Sequence, residues 1–186
     1  SKKWIQRQYN DDLVNKSKKL GYRSRAVFKL EEINKKLNFL KKNYNIVDLG
    51  SSPGSWSQYL SKKDFKNILA VDILKMESIP NVDFILGDFG DENVQKKIIE
   101  KFDSIDIIIS DIAANTTGNK NLDSFKTNSI CLDVLKFSCK NLKAKGSVLA
   151  KYFNGELDKA IIEFSKNNFN NFRIIKPKSS RKDSKE

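Results

Sequence analysis

The stretch NIVDLGSSPGSW, residues 45–56, decides the fold. Asn45–Leu49 is a short apolar run, and it stops at Gly50-Ser-Ser-Pro-Gly54, a cluster of turn-forming residues. A helix is expected from about Ser55, so the unit reads strand, turn, helix. Downstream, further strands are expected at Ile68–Ile73, Val82–Leu86, Ile105–Ser110, Ser147–Phe153 and Phe172–Ile175. Helices are expected between them at Glu92–Phe102, about Ser124–Leu142 and about Leu157–Asn167. Upstream, Trp4–Leu20 is polar and weakly helical. Ser24 then reads as the N-cap of a helix carrying Val27, Leu30, Ile33 and Leu37 at helical spacing. Strands alternating with helices of this length imply an α/β fold with a mainly parallel sheet. Runs such as ILAVDI and IDIIIS are nearly all apolar, as in strands covered on both faces.

The chain has 186 residues, which fits one domain, and no histidine. That absence excludes Ser-His-Asp and Cys-His catalysis and any imidazole metal site. Proton chemistry must fall to Asp, Glu, Lys, Tyr or water, and no metal is expected. Cys131 and Cys139 lie in one expected helix and cannot bridge there, which suits a reduced, cytoplasmic setting. No apolar run is long enough to span a membrane, and no secretory leader is evident. The formal net charge is +12, unevenly spread. Residues 1–45 hold 13 Lys/Arg against 4 Asp/Glu, and residues 173–186 hold 6 against 2, while the middle is nearly neutral. A basic N-terminal third interleaved with Trp4, Tyr9, Tyr22 and Phe28 reads as a polyanion footprint, and nucleic acid fits it better than a membrane surface. The organisation expected is a basic helical segment over residues 1–44 packed on a core over residues 45–186.

Asp48, Asp72, Asp88 and Asp111 sit at or just past the carboxyl ends of expected strands. In an open α/β sheet that edge binds ligands. The turn after the first strand lacks the glycines of a dinucleotide fingerprint, having Ser52 and Ser55, and no P-loop lysine follows, so a pyrophosphate is disfavoured. Asp72 is placed to accept from ribose hydroxyls, and Asp88 from an adenine amino group beside Phe89. A cofactor with an adenosine end, a cation and no phosphate suits this acidic edge, and S-adenosylmethionine is such a molecule.

The motifs SRAVFKLEEI (24–33), VDLGSSPGSWSQ (47–58), Asp72, GDF (87–89), SDIAAN (110–115), AKYFNG (150–155) and KPKSSRKDSKE (176–186) occur in this order along nearly the whole chain. Together they resemble the FtsJ/RrmJ family of ribose 2′-O-methyltransferases, closest to bacterial members that act on large-subunit ribosomal RNA. The resemblance implies a Rossmann-like methyltransferase fold using S-adenosylmethionine. It places a catalytic set on Lys29, Asp111, Lys151 and Glu186. It places cofactor contacts on Gly50, Pro53, Gly54, Ser55, Trp56, Asp72, Asp88, Phe89 and Asp111. RNA contacts are expected from Arg23, Arg25, Lys29 and Arg181, with a monomeric protein acting on RNA, a uridine of the large subunit foremost. Transfer RNA, an RNA cap, or a non-catalytic role in ribosome assembly are the alternatives. Of the catalytic set, Lys151 is assigned as base or hydroxyl-orienting group and Lys29 as its cationic neighbour. Asp111 would orient Lys151, and Glu186 would position the ribose or Lys29.

Three departures from the family pattern carry expectations. Ser55 replaces a glycine and would be strained if the position needs positive φ. Ala114 replaces a proline, which should loosen its turn. The chain ends at Glu186, where relatives continue into a final antiparallel strand, so that strand is expected to be missing and Glu186 to sit at a frayed end.

Overall fold

The computed structural model describes residues 11–186. Trp4 and Tyr9, two aromatics of the basic N-terminal third, lie outside the described residues, as does the first part of the expected Trp4–Leu20 helix. The elements are α1 (Asp12–Lys19), α2 (Val27–Leu37), β1 (Asn45–Leu49), α3 (Ser55–Lys62), β2 (Asn67–Asp72) and β3 (Val82–Leu86). They continue with α4 (Glu92–Lys101), β4 (Ile105–Ser110), α5 (Lys120–Asn141), β5 (Leu142–Ala150) and α6 (Asp158–Asn168). Side chains of Asp11, Asp91 and Asn119 cap α1, α4 and α5 by accepting the first free N–H groups. Ser24 is not the cap of α2. The helix begins at Val27 behind Ala26, and Ser24 Oγ instead accepts from Ala26 N at 3.3 Å and meets Ser55 Oγ. Helix α5 begins at Lys120, ahead of the expected Ser124, because Asn119 supplies the cap.

The strands form one sheet in the order β3-β2-β1-β4-β5, and every pairing is parallel. The chain leaves β1 toward β2 and β3, then crosses back to β4 and β5. The carboxyl ends of β1 and β4 therefore flank the point where the strand order reverses, which is where such sheets open a crevice. Alternate residues feed two cores. Ile46, Ile68, Ile107 and Ile109 pack beneath Val27, Leu30, Trp56 and Leu60 of α2 and α3. Val47, Leu49, Leu69, Val71 and Ile108 pack against Val94 and Ile98 of α4 and Val134 and Phe137 of α5. Burial on both faces is the reason these strands read as unbroken apolar runs. Among the described residues no helix is long and apolar enough to cross a membrane.

Two strand expectations need correction. β5, at the edge of the sheet, runs from Leu142 to Ala150 rather than from Ser147 to Phe153, so Lys151 is the first residue beyond it and not inside it. Phe172–Ile175 forms no strand. Residues 170–177 instead line a cavity of about 580 Å³ together with residues of β5.

Leu30 is fully buried between α2, α3 and the sheet. Leu30→Ala should lower stability by about 2–5 kcal/mol in urea unfolding, the range for a leucine-sized cavity in a packed core. A loss near zero would mean that this face of the sheet is not packed as described.

Candidate active site

The turn after β1 is shaped by close backbone approach. Gly50 has φ +70°, and a Cβ there would lie 2.0 Å from Ile112 Cγ1. Gly54 has φ +107°, and a Cβ there would lie 2.6 Å from Met76 Sδ and 2.7 Å from the Arg23 guanidinium. Between them Ser52 N–H donates to Asp72 Oδ2 at 2.8 Å, and Leu74 N–H donates to Asp72 Oδ1 at 2.7 Å. Both oxygens of Asp72, at the end of β2, are thus oriented by backbone donors. Past β2 and β3 the large apolar side chains Ile73, Leu74 and Leu86 are 67%, 61% and 49% exposed at the same edge. Asp88 is exposed and accepts from Gly90 N, while Phe89 packs edge-to-face on Phe137. Asp48 is not on the open edge. It is buried under α3, where Ser57 Oγ donates to it at 2.7 Å.

The segment between α1 and α2 is fastened along α3. Lys62 Nζ donates to Leu20 O and Gly21 O, and Gln58 Nε2 donates to Gly21 O while its Oε1 accepts from Arg23 N. Ser24 and Ser55 hydroxyls lie 2.7 Å apart, and Trp56 Nε1 donates to Ala26 O at 2.8 Å. Ser55 opens α3 and is not among the residues with positive φ, so it carries no such strain and adds a hydrogen bond that glycine could not make. Trp56 is a core side chain, 5% exposed, whose ring also reaches the cavity wall. The other sequence-level departure resolves similarly. Ala114 N–H donates to Thr127 Oγ1 at 3.2 Å, a bond proline cannot make, so the turn is tethered rather than loosened.

Lys29, Asp111, Lys151 and Glu186 come together from α2, the end of β4, the end of β5 and the C-terminal residues. Lys151 Nζ lies 3.0 Å from Asp111 Oδ1 and donates to Asp111 O at 2.8 Å. Lys29 Nζ lies 3.4 Å from the same Asp111 Oδ1 and 2.5 Å from Glu186 Oε1. All four side chains are under 20% exposed. Glu186 is not frayed: it holds Lys29, and its backbone carbonyl accepts from Lys176 Nζ.

The arginines expected on RNA are used inside the molecule. Arg23 donates to Pro53 O, Glu77 O and Ser78 O. Arg25 pairs with Asp11 and donates to Ser179 O, and Arg181 also pairs with Asp11. Glu32 accepts from Lys178 N, Ser179 N and Ser179 Oγ, completing a strap that holds the C-terminal segment on α1 and α2. Burial alone would raise the Asp11 carboxyl, but the pairs with Arg25 and Arg181 bring it below its ordinary value; backbone and hydroxyl donors from Lys178 and Ser179 do the same for Glu32. Sequence reading had no access to the links from Glu32 to Ser179 and from Asp11 to Arg181, which join residues more than a hundred positions apart.

A parallel sheet crossed at β1 and β4, with an acidic carboxyl edge and a glycine-bounded turn, defines the class as a Rossmann-like methyltransferase. Comparison with known proteins agrees with this. A family model described as FtsJ-like methyltransferase matches residues 22–186, and the chain belongs to that family. It is 40% identical to the ribosomal RNA large subunit methyltransferase E of Pelagibacter ubique, across 100% of this chain and 93% of that protein. A crystal structure of a ribosomal RNA methyltransferase from Plasmodium falciparum superposes with a TM-score of 0.78 at 37% identity, covering 85% of this chain and 93% of that one. A TehB-like SAM-dependent methyltransferase from Corynebacterium glutamicum shares the fold, with a TM-score of 0.54 at 17% identity over 89% of this chain and 80% of that one.

Burial pushes the Asp48 carboxyl up to about 7 from an ordinary 3.8, with Asp111 and Asp72 adding to the effect and the Ser57 hydroxyl opposing it. Between those two values the folded state binds more protons than the unfolded state, so Asp48 costs stability as pH rises through that window. Asp48→Asn should therefore gain stability relative to wild type from about pH 4 to about pH 8, read as a widening Tm difference. A Tm difference independent of pH would exclude this origin.

Proposed function

We propose that this chain transfers a methyl group from S-adenosylmethionine to a ribose 2′-hydroxyl of large-subunit ribosomal RNA, a uridine foremost. The observation that carries the reading is the closed set of two lysines and two carboxylates beside the glycine-bounded turn. The family membership and the activity named for the Pelagibacter relative support it. The basic N-terminal third supports an RNA substrate.

The residues present fit S-adenosylmethionine. A Cβ at Gly50 or Gly54 would clash with neighbouring side chains, so the bare backbone there lets the turn fold tightly at the ligand edge. Gly50, Pro53, Gly54 and Ser55 would hold the amino-acid portion, Asp72 the ribose hydroxyls, and Asp88 with Phe89 the adenine. The exposed Ile73, Leu74 and Leu86 supply apolar surface for a purine ring. When bound, the cofactor supplies a methyl group activated by a sulfonium.

The protein's part is to place the hydroxyl and remove its proton. Lys151 Nζ directs two of its contacts at Asp111, one to the carboxylate and one to the backbone carbonyl. That fixes where the nitrogen points, leaving its remaining hydrogen-bonding direction for the 2′-oxygen. In the neutral form Lys151 Nζ accepts the hydroxyl proton as the oxygen attacks; in the ammonium form it can only orient the oxygen. Lys29 and Lys151 share Asp111 Oδ1 as their counter-charge, which keeps the two nitrogens on the same side of the crevice. Glu186 neutralises Lys29 and holds it against Asp111, so the set stays fixed before substrate arrives. Alignment of this kind can supply a large share of the acceleration.

Lys151→Ala should lower methyl transfer to RNA by about a hundredfold or more, while calorimetry finds S-adenosylmethionine affinity nearly unchanged. Near wild-type transfer would overturn the assignment. RNA affinity should fall steeply with added salt, because the basic segments displace counterions from phosphates. A flat salt dependence would refute electrostatic gripping.

A further inference from the structure

Helix α5 has a polar face where a core face is expected. Asp123, Ser124, Thr127 and Asn128 in its first turns are all at most 9% exposed. Each is committed to a loop at the carboxyl edge. Asp123 accepts from Thr117 N, Thr117 Oγ1 and Gly118 N, and Thr127 accepts from Ala114 N, so both hold the loop that follows Asp111. Ser124 packs under Gly155, where a Cβ would lie 2.9 Å from its Oγ.

Asn128 is fully buried and makes three hydrogen bonds to the turn that follows Lys151. Its Nδ2 donates to Phe153 O at 2.7 Å and to Glu156 O at 2.6 Å, and its Oδ1 accepts from Phe153 N at 2.8 Å. Both amide protons are used, and the carboxamide reads the turn as another strand would. From inside that turn, Asn154 N donates to Lys185 O at 2.7 Å. The next residue is Glu186, whose Oε1 is 2.5 Å from Lys29 Nζ. A short chain of contacts thus runs from Asn128 to the 153–156 turn, to the C-terminal residues, and to Lys29.

We infer that Asn128 is a positioning residue for methyl transfer, fixing the 153–156 turn so that it holds Glu186 on Lys29. The inference rests on the proposed reading of Lys29, Asp111, Lys151 and Glu186 as the reacting set. Nothing about the helix itself calls for an amide at this position; Cys131, Val134, Leu135 and Phe137 fill most of the remaining buried face. Left without Asn128, the carbonyls of Phe153 and Glu156 would lose the donors that tie this exposed turn to α5, and the turn would be free to shift.

The test uses the full chain with Asn128→Ala, S-adenosylmethionine and large-subunit ribosomal RNA. kcat should fall about tenfold or more, since small misplacements are costly in aligned reactions, while KM for RNA and cofactor affinity hold. The loss should shrink to little when Glu186→Gln is already present, because both changes act through the same contact. Amide exchange at residues 180–186 should quicken, with β1 and β4 exchanging as before. If Asn128→Ala does not fold, Asn128→Asp keeps the size and the acceptor for Phe153 N while losing both donations, and the same exchange pattern is expected. Unchanged exchange at residues 180–186, or a kcat loss that persists in full beside Glu186→Gln, overturns the inference. A wild-type chain that transfers no methyl group overturns the proposed function, and the exchange measurement still decides the role of Asn128.

Discussion

A single carboxylate organises the crevice. Asp111 stands just past β4, beside the point where the sheet reverses its strand order, and Lys29 and Lys151 converge on its Oδ1. An acid so placed, 19% exposed and facing two lysine nitrogens, settles the local geometry. It draws α2 over the end of the sheet from one side and the end of β5 from the other. Glu186 then balances the second lysine. Removing the acid would leave two largely buried lysine side chains without their shared partner.

The fold was legible because its strands are short, apolar and bounded by turn residues. β1, β3 and β4 have the boundaries that NIVDL, VDFIL and IDIIIS suggest. What the sequence obscured lies at the β5 edge. SVLAKYF looks like a central strand with a lysine inside it, yet the strand starts at Leu142, carries an irregularity opposite Ile105–Ile107, and stops before the lysine. Hydropathy marks apolar residues well but does not say which edge of a sheet they occupy. Phe172–Ile175 has strand composition and still forms none, because a strand needs a neighbour to pair with and this segment pairs with none of the five.

The site was legible in its chemistry and opaque in its support. Lys29, Asp111, Lys151 and Glu186 are brought together as the motif order suggested. Arg25 and Arg181 read as phosphate ligands because basic residues near a basic terminus usually are, yet both are paired with Asp11. Asn128 and Glu32 carried no signal at all. One sits mid-helix and the other on a helix rich in charge, and the partners of each lie in distant segments that no local pattern connects. Supporting groups of this kind become visible only when the chain is closed on itself.

The strap between Glu32 and Ser179 has a kinetic side. Its ends are 147 residues apart, while the bonds fastening residues 20–26 to α3 span about 30–42. Loop closure costs more entropy the longer the loop, and contacts between chain ends reward folding late. α1 and α2 precede in sequence the elements they dock on, β1 and α3, and the segment that straps them follows every strand of the sheet. The lysine-carboxylate cluster is therefore finished by a long-range closure, since Glu186 reaches Lys29 only when the strap is in place. With residues 176–186 undocked, the sheet and both cores keep their contacts but the crevice is not complete.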